Sequence, residues 1–207
     1  MDAELRDELL RRADLDQAAR RDLADNWNTI GAIDADNLQW LRGTVTEHGW
    51  PGHSLVGAEA ANAAWLLAQH ADLDPAFQRQ CLELLTEAAE RGEATAGQAA
   101  YLTDRVLIAE GKPQEYGTQV IGRKDGWEPV NLRDPQTVDE RRATASLGPL
   151  AAYLASFEDQ GVPLPSTVPC PECGTRIEFW TPGPGEEVEI TCPACEWAST
   201  ASLDPPK

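Results

Sequence analysis

Four cysteines near the C-terminus constrain this chain more than any other feature. Cys170, Cys173, Cys192 and Cys195 stand at the spacing C-x2-C-x18-C-x2-C, inside the range of a structural zinc site. Two strand-like runs lie between the pairs, Thr175–Trp180 and Glu187–Thr191, joined by the turn Thr181–Gly185. The pattern predicts a zinc ribbon in which zinc is a structural cofactor, because four thiolates leave no open coordination position. A redox dithiol is the alternative, and two pairs at ribbon spacing argue against it. Gly174 follows the first knuckle; Glu196 stands at the matching place in the second, a mild departure that strains that turn. An end piece this short cannot fold on apolar burial, so metal decides whether it is ordered.

The 207 residues leave room for one larger domain before the ribbon. The expected division is a helical domain with a polar pocket (1–157), a Pro-rich linker (158–169), the ribbon (170–200) and a tail (201–207). The fold class is therefore mainly α, a helical domain with a short β-hairpin, plus a small C-terminal β zinc ribbon. With 17 Lys and Arg against 35 Asp and Glu, the formal charge is −18. That field repels phosphate backbones and argues against nucleic acid as a partner. No run of about 18 apolar residues occurs, and MDAELRDELL is no signal peptide. The expectation is a soluble, cytoplasmic, acidic protein with no membrane partner.

Within the larger domain, Ala58–Asp74 is the most apolar helix candidate. At about 100° per residue, Glu59, Asn62, Leu66 and His70 fall on one stripe with Gln69 beside it. A helix apolar nearly all round is buried, and buried polar groups need partners. This stripe predicts one wall of a pocket.

The rest of the domain reads as helices punctuated by local signals. Residues 2–13 and 15–25 are two charged helices, with Asp16 and Arg20 spaced as an i,i+4 ion pair. Asp34–Thr46 is a short helix with Asp34 as N-cap. His48–Gly57 is a tight connection that puts Trp50 in the core; an anion-binding Gly loop is the weaker alternative. Asp74-Pro75 caps the next helix, whose inner stripe makes Cys81 a core residue. Thr95 and Gln98 form a capping box for a helix to about Ala109. Asp104 and Arg105 interrupt its apolar run, so they are rim residues or paired and functional. Gln114–Gln119 is dense in hydrogen-bonding side chains for a loop. Thr118–Ile121 pairs with Trp127–Leu132 across Gly122–Gly126 as the hairpin, and one or two helices span Val138–Phe157 with a break at Gly148-Pro149.

GWPGHSLVG at 49–57, QHAD at 69–72, LTDR at 102–105 and QEYGTQ at 114–119 together resemble a bacterial helical domain family of unknown function. DQAAR at 16–20, Asp34 with Asn37, and VDERR at 138–142 before a Gly-Pro-Leu extend the resemblance over roughly residues 1–157. It implies a set of site residues and no reaction. The matched side chains are mostly polar: Asp16, Gln17, Arg20, Gln69, His70, Asp72, Asp104, Arg105, Gln114, Tyr116, Thr118 and Gln119. A likeness concentrated in such residues implies a convergent polar site.

Two readings follow. In the first, the domain is an enzyme, a hydrolase or group transferase acting on a small anionic molecule. His70 is the general acid or base, since imidazole is the side chain whose unperturbed pKa lies near neutrality. Asp72 or Asp104 orients it. Arg105, with Arg20, holds the anion; Asp16, Gln17, Gln69, Gln114, Tyr116, Thr118 and Gln119 position the substrate. A metal at His70, Asp72 and Asp104 is disfavoured by the lack of HExxH-type spacing. In the second, a non-catalytic helical module uses the polar motifs as an internal network and contacts a protein partner through the ribbon.

Overall fold

The computed structural model describes residues 1–21, 27–123, 126–159, 166–179, 187–195 and 197–202. The chain is mainly helical and divides into two compact units, Met1–Gln119 with Val130–Leu150, and Val120–Pro129 with Ala151–Lys207.

In the first unit, α1 (Ala3–Arg20) is one continuous helix. This corrects the expectation of separate helices at 2–13 and 15–25; residues 22–25 of the latter lie outside the described residues. Its Asp2 cap accepts from the Leu5 N–H at 3.0 Å. Continuity sets the phase: Leu9, Arg12, Asp16 and Ala19 are the buried stripe. α2 (Trp27–His48) is longer than expected, and Asp34 lies inside it rather than capping it. The Asp34 carboxylate instead takes an ion pair with Arg20 at 2.7 Å.

The connection to α3 (His53–Val56) is a turn that buries Trp50, as expected. Gly52 is required there, because a Cβ would come within 2.7 Å of Glu93 Cβ. α4 (Ala58–Gln69) packs against α1, α2, α3, α5 and α6. Its buried Ala60, Ala61, Ala63, Ala64 and Ala68 keep its surface thin, so neighbouring backbones approach closely. The core gathers around it from Leu9, Leu41, Val45, Val56, Leu67, Phe77, Leu85 and Leu102. Cys81 is wholly buried in this core and its thiol is pushed up to about 12 by burial.

α5 (Pro75–Glu90) starts as expected, with Asp74 Oδ1 accepting from the Phe77 N–H at 2.9 Å. α6 (Ala96–Ala109) starts on the complete Thr95–Gln98 capping box. A short 3-10 turn (Pro135–Thr137) leads into α7 (Val138–Thr144).

In the second unit, β1 (Val120–Arg123) pairs antiparallel with β2 (Gly126–Pro129), with Val120 opposite Pro129 and Arg123 opposite Gly126. The hairpin turn is therefore shorter than expected, and Gly122 belongs to a strand. Thr118 and Gln119 are held elsewhere, and residues 124–125 lie outside the described residues. α8 (Leu150–Asp159) follows the break at Gly148-Pro149. Phe157 stacks on Trp127 at 4.9 Å and meets Tyr153 edge-on at 5.1 Å.

The ribbon region is built from two separate hairpins. β3 (Ser166–Pro169) pairs with β4 (Arg176–Phe179), and β5 (Glu187–Thr191) pairs with β6 (Ala198–Ser202). Each central run pairs with the strand across its own cysteine knuckle, so part of the expected linker and tail is strand. Trp180, the 181–186 connection, Glu196 and the tail from Leu203 lie outside the described residues.

Candidate functional site

α1, α2 and the end of α4 bring four charged or ionisable groups together. Asp16 is wholly buried, and its Oδ1 lies 2.9 Å from Nδ1 of His70, which is 16% exposed. Arg20 Nη2 lies 2.7 Å from Asp34 Oδ1 and 3.5 Å from Asp16 Oδ1. Arg20 Nε lies 3.2 Å from His70 Nδ1 and 3.5 Å from Nε2, so it runs alongside the ring. Nδ1 cannot both donate to Asp16 and accept from Arg20. A bare lone pair facing a carboxylate at that distance is repulsive, so Nδ1 carries the proton and donates to Asp16. Nε2 is then the ring nitrogen that carries the lone pair, with Arg20 Nε at 3.5 Å.

Gln17 Nε2 donates to Asp16 Oδ2 at 3.1 Å. Burial pulls the Asp16 carboxyl up, but His70, Gln17 and Arg20 together hold it below its ordinary value. Asp34 goes the other way: burial raises it, and the neighbouring charges of Asp16 and Asp72 add to the rise.

Beside this group, Arg105 grips Asp72 in a bidentate pair, Nε to Oδ1 at 2.9 Å and Nη2 to Oδ2 at 2.5 Å. Its Nη1 donates to Gln119 Oε1 at 3.2 Å. Buried Gln78 donates from Nε2 to Asp72 Oδ1 at 3.0 Å and to the carbonyls of Ala68 and Gln69. Burial pulls Asp72 up, and Arg105 and Gln78 more than offset it. The expectation that Asp72 or Asp104 orients His70 is corrected: Asp16 makes that contact, and Asp72 is committed to Arg105.

Asp104 does a different job. It is wholly buried and accepts from the backbone N–H groups of Glu115 (2.7 Å), Tyr116 (3.0 Å) and Thr118 (2.9 Å), and from the Thr118 hydroxyl (3.0 Å). The loop carbonyls are held from the other side. Arg141 Nε donates to Glu115 O at 2.7 Å, and buried Arg142 donates from Nη1 to Tyr116 O at 2.7 Å. Gln114 closes the loop, accepting from the Gln119 N–H at 3.0 Å and donating to Gln119 O at 2.8 Å. Gly117 supplies the positive φ of 69° that the loop needs. Gln114 and Thr118 thus shape the loop.

Gln69, with its amide oxygen turned toward α6, accepts from the Leu102 N–H at 2.9 Å and ties α4 to α6. Tyr116 lines a cavity of about 330 Å³ with Thr86, Ala99, Thr103 and Thr144, and no member of the His70 group lines that cavity. Burial, with Asp104 and Glu115 nearby, raises the Tyr116 phenol.

The predicted site residues therefore sort into three sets. Asp16, Gln17, Arg20 and His70 form one polar cluster and Asp72, Arg105 and Gln119 a second; Asp104, Gln114, Thr118 and Gln69 are internal ties; Tyr116 faces another cavity. Asp34 was misread as a cap, although it stands among the motif residues. Arg141 and Arg142 also stood in a motif, as VDERR. Gln78 left no signal, since a lone Gln on an amphipathic helix looks like any surface residue.

Asp16, Asp34 and His70 each offer a ligand atom within 4.8 Å of the others, a set that could hold a metal ion. The Arg20 guanidinium already supplies positive charge between the two carboxylates. This set differs from the disfavoured one at His70, Asp72 and Asp104.

The four cysteines of the second unit lie close together, compatible with a metal site. Sγ of Cys170 and Cys195 are 3.6 Å apart, as are those of Cys173 and Cys192. Tetrahedral ligands at about 2.3 Å from zinc would be about 3.8 Å apart. The Thr175 hydroxyl and backbone hold the Cys173 thiol down to about 6, while burial and the neighbouring thiols push Cys195 up to about 12.

Among the described residues, no helix is long and apolar enough to cross a membrane. No curated protein and no solved structure matches the chain. The model of the family of unknown function DUF6624 matches residues 3–162, which take in both polar clusters and the Asp104 loop, and the chain belongs to that family.

Proposed function

We propose that the helical unit is an enzyme, a hydrolase or group transferase of a small anionic substrate, with His70 moving the proton. One observation carries this reading: a wholly buried carboxylate, Asp16, lies 2.9 Å from Nδ1 of a half-buried histidine. That contact fixes tautomer and ring direction, the task of the orienting carboxylate beside a general base. Nε2 then takes or gives the proton. Arg20 and Arg105 receive the anionic group, and Gln17 and Gln119 steady the carboxylate and guanidinium beside them. Each arginine is already paired, so an anion must exchange with Asp34 at Arg20 or with Asp72 at Arg105. Asp34 suits that exchange better than Asp72, because burial raises the Asp34 carboxyl whereas Arg105 and Gln78 hold Asp72 low.

A non-catalytic module, contacting a protein through the ribbon, is favoured by a different observation. The arginines are paired with carboxylates, and Asp104 and Gln69 tie backbone segments together. Thermal-shift screening against phosphorylated and carboxylated metabolites separates the two. The enzyme reading expects stabilising anions whose effect is weakened in His70→Ala and Arg20→Gln proteins. A folded His70→Ala protein that binds every such anion as well as the parent supports the module.

For the ribbon, the proposed ion is zinc in a structural role. Four sulfur ligands suit zinc and leave it no position for substrate.

A further inference from the structure

Two buried charges hold Tyr116 of the Gln114–Gln119 loop. Its N–H donates to wholly buried Asp104 at 3.0 Å, and its carbonyl accepts from Arg142, 2% exposed, at 2.7 Å. Charges this deep are costly to bury, and the residue they fix is one whose side chain stays uncommitted. The Tyr116 phenol has no hydrogen-bond partner among the described residues. Burial, with the carboxylates of Asp104 and Glu115, raises it, so it keeps its proton and stays a donor. Tyr116 lines the cavity of about 330 Å³, which none of the His70 group enters.

Four segments wall this cavity: α5, α6, the loop and the end of α7. Its polar lining is one-sided. Thr86, Thr103 and Thr144 donate their hydroxyl protons to carbonyls of their own helices, to Leu82 O at 2.8 Å, Ala99 O at 2.8 Å and Arg141 O at 2.6 Å. A hydroxyl committed in this way offers a ligand only lone pairs. Glu90 adds a carboxylate that makes no ion pair among the described residues. The rest of the lining is alanine, and no basic residue belongs to it. Acceptors therefore face the cavity with one donor, the phenol, among them. The single charge is negative and unbalanced, which repels an anion and favours a cation that brings its own N–H groups.

We propose that this cavity is a second ligand site, and that it takes a small primary amine with a short apolar body and an oxygen acceptor. The ammonium is received by Glu90 and the threonine oxygens, the body lies on the alanines, and the Tyr116 phenol donates to the oxygen. The site shares no side chain with the Asp16–His70 cluster, so its failure leaves the proton-transfer reading untouched, and the reverse.

The test titrates the full-length protein with trans-4-aminocyclohexanol, cyclohexylamine and trans-4-hydroxycyclohexanecarboxylate. It follows ring-labelled tyrosine by carbon-13 NMR; the chain has three tyrosines, and Tyr116→Phe identifies the signal. The amino alcohol should shift the Tyr116 ring signals and bind more tightly than the carboxylate. Glu90→Gln, an exposed and conservative change, should weaken both amines about three- to fivefold. Tyr116→Phe, read from the backbone amide of Thr103, should weaken the amino alcohol about two- to tenfold and leave cyclohexylamine unchanged. Four results overturn the proposal: no binding of the amino alcohol at millimolar concentration, binding that leaves the Tyr116 ring unmoved, equal affinity in Glu90→Gln, or a carboxylate that binds as tightly as the amine.

Discussion

Leu15 and Asp16 are neighbours with opposite surroundings: Leu15 is 49% exposed and Asp16 wholly buried. Hydrophobicity alone predicts the reverse. The polar character of Asp16, Arg20 and His70 was legible, and so was the i,i+4 pair of Asp16 with Arg20; the contacts of both with His70 were not, because they join residues fifty or more positions apart, which no local period encodes. The buried carboxylate has a consequence for stability. Asp16 and Asp72 are held below their ordinary values in the fold. Each therefore stabilises above the unfolded value of about 3.9, and that contribution is lost as pH falls through the folded value. Asp34, raised, has the opposite sign: it favours the fold at low pH and loses that contribution as pH rises through its folded value. Urea unfolding should show the stability gap between the parent and Asp16→Asn narrowing as pH falls below about 4. A gap that stays constant across that range contradicts the role given to Asp16.

At the scale of elements, the signals that succeeded were local. The Asp74-Pro75 start and the Thr95–Gln98 box each lie within one turn of helix and need nothing distant. Strand partners were harder. The hairpin register and the ribbon pairings depend on where Thr118, Gln119 and the cysteine knuckles are fixed, and those anchors are tertiary. The Gln114–Gln119 loop shows this most clearly. Its hydrogen-bonding side chains suggested a ligand, but much of that capacity is spent on its own shape through Asp104, Arg141 and Arg142. Asp104→Ala leaves several loop N–H groups without an acceptor beneath a buried guanidinium. It should cost about 3–5 kcal/mol in urea unfolding. A loss below about 1 kcal/mol would mean that water replaces the carboxylate and the loop is not anchored by it.

Over the whole molecule, the two units follow different rules. The helical unit buries a continuous apolar core around α4. Among the described residues, the ribbon's buried cluster is Cys170, Ile177 and Cys192, with Cys195 and Trp197 against it. Metal removal by a strong chelator should therefore collapse the dispersed amide signals of the ribbon and leave the helical circular dichroism of the first unit intact. Retention of ribbon signals in verified metal-free protein would refute a metal-dependent fold. The account's central claim concerns the first unit: helices remote in sequence converge so that Asp16 fixes the His70 ring. The direct measurement is a long-range proton–nitrogen NMR correlation of the His70 imidazole, at a pH where the ring is neutral, identified with His70→Gln. The account predicts a proton on Nδ1 and a bare Nε2, the reverse of the tautomer that free histidine favours. A proton on Nε2 with Nδ1 bare would contradict it.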